Sequence, residues 1–120
     1  MATIETLIIQ YLSSHEDIEH SVYGDTPDKE VPDSYYLVEK TGSRTRDHLC
    51  TAQIVVQSYS SDSKESASQM NETVISAMRG LTSLSAVSGC RLNSDYDYTD
   101  TTKKRWRYQA VFDVTYTREV

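Results

Sequence analysis

The chain has 120 residues, 38% of them apolar and 25% charged. That length and balance predict one soluble globular domain over residues 1–120, large enough to bury a core without metal or disulfide support. No apolar run approaches the roughly 18 residues of a membrane-spanning helix, and Met1–Gln10 has no basic n-region, so neither a span nor a secretory signal is expected. The net charge is −6, and its origin is local: Glu16–Asp33 holds seven acids and one base, Lys29, while the rest holds eleven of each. This balance argues against binding nucleic acid through bulk charge, and it suits a partner with a positive patch.

Ile4, Leu7, Ile8, Tyr11 and Leu12 recur at helical spacing, which predicts a helix over about Thr3–Leu12 capped by Thr3, with its apolar stripe on a sheet. The pattern then fades. Residues 13–33 contain Gly24, Pro27, Pro32 and most of the excess acids, and read as a long acidic loop with a short edge segment at Val22–Tyr23.

Tyr35–Thr41 reads as a strand closed by Gly42, and His48–Tyr59 as the next, with Gly42–Asp47 as a link carrying Arg44 and Arg46. A second helix follows. Asp62 and Glu65 form a capping-box pattern, Ala67, Met70, Val74, Met78 and Leu81 make one stripe, and Gly80 stands where a stop belongs. The last third reads as a hairpin. Leu92, Tyr96 and Tyr98 share one parity; so do Trp106, Tyr108, Ala110, Phe112, Val114 and Tyr116. Trp106 is thereby expected in the core, and Asp95 and Asp97 are expected to face Arg105 and Arg107 on the wet side. The fold class is α+β: a mainly antiparallel four-stranded sheet with two helices on one face, in the order α-β-β-α-β-β.

A search for chemistry is largely negative. His15 and His20 are five apart, a spacing that suits neither a helix face nor a zinc pair, and no metal is expected. Cys50 and Cys90 lack CxxC partners and read as structural thiols in a reducing compartment. There is no G-x-S-x-G and no phosphate loop, so no catalytic residue and no cofactor is assigned, and the chain reads as a binding or assembly part rather than an enzyme. The basic run Lys103, Lys104, Arg105 and Arg107 surrounds Trp106, but nearby Asp95, Asp97 and Asp100 can neutralise it, so specific nucleic-acid binding is not expected.

The run YYLVEKTGS at Tyr35–Ser43, the strand AQIVVQSYS at Ala52–Ser60, the helix with Ala67 and Val74, and RWRYQAVFDVTY at Arg105–Tyr116 together resemble the tail terminator, or tail completion, proteins of long-tailed bacteriophages. The likeness spans about Ile4–Arg118. It implies an α+β subunit of a hexameric ring, assembled in the host cytoplasm and placed at the head-proximal end of the virion tail. Such a ring caps the tail tube, stops its polymerisation and joins it to the head connector or stopper, with DNA passing through its channel. The implied partners are further copies of the chain, the tube protein and the connector; no membrane, cofactor or enzymatic activity is implied. Related alternatives are a head-side neck or stopper protein and a tail tube subunit. Tube subunits use a long hairpin arm, of which the sequence shows only the Gly42–Asp47 link. A more remote alternative is a small α+β ligand-binding or enzymatic domain with a pocket between helix and sheet.

The resemblance transfers no residue individually. Charge and loop length nominate Asp25, Asp28, Glu30 and Asp33 on the acidic segment, Arg44 and Arg46 on the basic tip, and Lys103 and Lys104 as subunit or partner contacts. The acidic segment and the tip are expected to meet each other, or a tube or connector subunit, around the ring.

Overall fold

The computed structural model describes residues 3–25, 32–99 and 105–117. They form α1 (Ile4–Ser13), β1 (Ser21–Tyr23), β2 (Ser34–Arg46), β3 (Leu49–Ser60), α2 (Lys64–Met78), a 3-10 turn (Leu81–Ser83), β4 (Val87–Asp97) and β5 (Trp106–Thr117). The sheet has five strands, in the order β1-β2-β3-β5-β4. It is mixed: β1 runs parallel to β2, and every other neighbouring pair is antiparallel. The expected four-stranded sheet is thus corrected to five, the short edge segment read at Val22–Tyr23 being the added strand. Three residues are too few to display alternation, and β1 exists because the edge of β2 offers it hydrogen bonds at Tyr35–Leu37.

Both helices lie on one face, as the sequence implied, and their apolar stripes close a single core. Ile4, Ile8 and Leu12 of α1 and Met70, Val74 and Met78 of α2 pack on Tyr36, Val38, Ile54, Val56, Phe112 and Val114. The Phe112 side chain is 2% exposed. Burying one such side chain contributes about 1.5–3 kcal/mol. Thr3 caps α1 as expected, its hydroxyl accepting from Thr6 N at 3.1 Å. In α2 the cap is Ser63 rather than Asp62: its hydroxyl accepts from Ser66 N at 3.0 Å. α2 crosses over β5 to connect β3 with β4, which lie parallel to each other on either side of it.

Gly42 does not end a strand. β2 absorbs it in an irregularity between Lys40 and Gly42 and continues to Arg46. The chain reverses instead at Asp47 and His48, both with positive φ (51° and 69°), the backbone of a two-residue type I′ hairpin. Gly80 is not a left-handed cap either; its φ is −87°. It is needed for space, because a Cβ there would lie 2.6 Å from the Tyr11 hydroxyl.

The largest correction concerns β4. Its register against β5 shifts between Leu92 and Ser94. A one-residue shift moves every following side chain to the other face. Leu92 therefore opposes Phe112 on the helix side, whereas Tyr96 opposes Gln109 on the far side. Asp95 and Asp97 turn toward α2: Asp95 accepts from Asn71 Nδ2 at 3.1 Å, and Asp97 pairs with Lys64 at 3.4 Å. They do not face Arg105 and Arg107. Trp106 and Tyr108 keep the core parity but are only half-buried, because they lie at the end of the sheet beyond the closed core.

Candidate functional site

No helix among the described residues lies on the other face of the sheet, yet Tyr35, Leu37, Val55 and Val111 on it are buried, and that face has its own organisation. A row of rings and guanidinium groups crosses all five strands. Tyr23 of β1 meets Tyr35 of β2 edge-on at 5.8 Å, and Tyr35 stacks on Tyr59 of β3 at 4.6 Å with the planes 8° apart. Arg105 lies 5.6 Å from the Tyr35 ring centre. Arg107 of β5 bridges Tyr59, at 5.5 Å, and Tyr98, just past β4, at 4.4 Å. Tyr98 meets Tyr96 edge-on at 5.9 Å.

Hydrogen bonds hold this row in place. Arg107 Nη1 donates to the Tyr59 hydroxyl at 3.0 Å, and its Nε donates to the Tyr98 carbonyl at 2.9 Å. The Tyr59 hydroxyl donates to Gln57 Oε1, Gln57 Nε2 to Gln109 Oε1, and Gln109 Nε2 to the Tyr96 hydroxyl, at 2.7, 2.8 and 2.6 Å. Arg105 Nη1 donates to the Pro32 carbonyl at 2.8 Å. Burial, followed by the neighbouring Tyr59, pushes the Tyr35 phenol up, while Arg105 and Arg107 pull it back down. Neither guanidinium has a carboxylate within ion-pair distance among the described residues. Tyr96 and Tyr98 remain 42% and 49% exposed. Rigid tyrosines beside arginines are the composition that dominates protein–protein contacts, because they offer large apolar area and polar tips at little entropic cost.

A second feature is the β2–β3 hairpin. β1 covers β2 only at Tyr35–Leu37, and every residue from Glu39 to Leu49 is exposed. Arg44 and Arg46 stand at its tip beside Leu49, which is 46% exposed. A third is a shallow acidic recess on the helix side, where Glu16, Asp17 and Glu19 of the α1–β1 turn face Glu72, Thr73 and Ser76 of α2.

The nominated residues divide accordingly. Arg44 and Arg46 stand together on the exposed tip, while Asp25 and Asp33 are exposed on the acidic segment. Asp28, Glu30, Lys103 and Lys104 lie outside the described residues. Sequence reasoning missed the tyrosine–arginine row. Only Arg105 and Arg107 fall on a parity assigned to the wet side, no face follows from the sequence for Tyr35 or Tyr59, and the shift in β4 separates Tyr96 and Tyr98 from the Leu92 parity they share.

Chemical features are sparse. Among the described residues no three His, Cys, Asp or Glu side chains are grouped to hold a metal ion. Burial pushes the half-buried Cys90 thiol up to about 11, the reverse of an activated nucleophile. Among the described residues no helix is long and apolar enough to cross a membrane.

No family model matches the chain, and no curated protein matches it. Its fold does match a solved structure. A chain from the virion of a native gene transfer agent particle superposes with a TM-score of 0.60 at 12% identity, over 95% of this chain and 94% of the other. The chain therefore shares, across nearly its whole length, the α+β fold of a virion component.

Proposed function

We propose that this chain is a structural protein of a phage-like virion: a subunit of the ring that caps the tail tube, stops its polymerisation and joins the tail to the head connector. The observation that carries the reading is the shared fold with a gene transfer agent virion chain, end to end in both molecules. The Tyr35–Ser43, Ala52–Ser60 and Arg105–Tyr116 segments, which resemble tail terminators, support the position proposed for it in the particle. The role is architectural rather than enzymatic, and the helix-free face and exposed hairpin supply surfaces for assembly.

One observation favours a second reading within the same machine. The β2–β3 hairpin is a paired arm of 13- and 12-residue strands, not the short link the sequence suggested. A tail tube subunit could use such an arm to line the tube.

Electron microscopy of lysates from a phage lacking this gene separates the readings. Overlong tubes without heads are expected for a terminator. Normal-length tails detached from heads would make it a connector or stopper, and an absence of tubes would make it the tube subunit. Intact infectious particles would overturn all three and return attention to ligand binding or catalysis.

A further inference from the structure

We propose that the helix-free tyrosine–arginine face is where a second copy of this chain docks, presenting the acidic α1–β1 turn that its helix side carries. This deepens the assembly reading above and rests on it.

The argument begins with where the charges lie. Arg105 and Arg107 project from one face of the sheet and have no carboxylate partner among the described residues. Glu16, Asp17, Glu19 and Glu72 gather in one recess, whose described lining contains no cation. That recess includes α2, and α2 lies on the opposite face: Tyr36, which neighbours Tyr35 and points the other way, donates from its hydroxyl to the Met70 carbonyl of α2 at 3.3 Å. Among the described residues the sheet separates these acids from these bases. A second molecule brings them together if its helix side meets the Arg107, Tyr96 and Tyr98 end of this face.

The form of the contact follows. Two different patches that complement each other make a heterologous interface, which propagates around a closed ring or along a filament instead of stopping at a two-fold dimer. The receiving face is already ordered. Arg107 is pinned between Tyr59 and Tyr98, so docking freezes few rotamers. Exposed Tyr96 and Tyr98 supply the apolar area that charge alone does not.

The test is pairwise disulfide trapping between copies. In a Cys90→Ser background, with Cys50 buried, Tyr98→Cys and Glu16→Cys proteins are prepared separately, mixed and mildly oxidised. The expected product is the mixed disulfide, in clear excess over either homodimer. A chain carrying both cysteines should give a ladder of covalent oligomers ending in a closed species. Glu16→Lys with Glu19→Lys, on an exposed turn away from the core, should weaken self-association about tenfold or more at low salt and flatten its salt dependence. Homodimers alone would mean that like surfaces meet. Rings seen by microscopy without the mixed disulfide would mean that copies join elsewhere, or that another virion protein occupies this face. Either result overturns the docking and leaves the assembly reading standing. A monomer by light scattering, with no rings and no mixed disulfide, would remove both.

Discussion

Arg107 grips Tyr98 twice: its guanidinium lies 4.4 Å from the ring centre, and its Nε donates 2.9 Å to the carbonyl of the same residue. The other end of the fork donates to the Tyr59 hydroxyl at 3.0 Å. One planar group thereby ties β3 and β5 to the end of β4. Lysine keeps the charge but cannot present two fixed donors in one plane. Arg107→Lys is expected to cost about 1–2 kcal/mol in urea unfolding at neutral pH. An unchanged urea midpoint would show that the fork does not hold the row together.

The close approach of Tyr11 to Gly80 gives a second prediction. The Tyr11 hydroxyl donates to the Ala77 carbonyl at 2.7 Å and fills the space a Gly80 Cβ would need. Gly80→Ala must displace that hydroxyl and break its bond, at an expected cost of about 1–3 kcal/mol. Tyr11→Phe alone removes the same bond. In a Tyr11→Phe background, Gly80→Ala should therefore cost clearly less, a non-additive cycle measured by denaturant unfolding. Strict additivity would mean that the two residues do not compete for the space.

His48 occupies the left-handed region at φ 69°, where a Cβ is unfavourable. Glycine there gives the Asp-Gly pair that the hairpin geometry prefers. His48→Gly is expected to stabilise the protein by about 0.5–1 kcal/mol, read as a higher Tm. The tip is exposed, so the gain should come without repacking. A lower Tm would argue that His48 makes contacts the turn geometry does not account for.

Alkaline stability should report on Tyr36. Burial first, then the nearby Glu19, pushes its phenol up to about 12, from an ordinary value of 10.0. The folded state thus prefers the neutral phenol. Its contribution is fully present below about pH 10 and is lost as pH rises from there toward about 12. Tyr11 and Tyr35 are raised as well and act in the same direction. The urea midpoint should fall over this window, and Tyr36→Phe should make that fall shallower. A Tyr36→Phe profile parallel to the parent's would place the alkaline loss on other groups.

Much of the architecture was legible without coordinates. The 3.6-residue stripe of Ala67, Met70, Val74 and Met78 and the two-residue alternation from Ala110 to Tyr116 fix helix and strand by local repetition. All of these side chains are buried. The Thr3 cap was legible for the same reason, since a cap is a relation between residues three apart. By itself the sequence determined an α+β domain, two helices on one sheet face, and an acidic segment set apart from a basic hairpin tip.

Tertiary structure decided what depends on partners distant along the chain. β1 is a strand only because β2 leaves an edge at Tyr35–Leu37. Gly80 is glycine because a tyrosine 69 positions earlier in the chain reaches it. The irregularity after Leu92 depends on how β4 lies against β5, and it sends Asp95 and Asp97 to α2 and leaves Tyr96 and Tyr98 beside Arg107. Parity along a strand assigns faces only while the register is unbroken. A single shift between neighbouring strands reverses that assignment, and here it brings Tyr96 onto the face that carries Arg107.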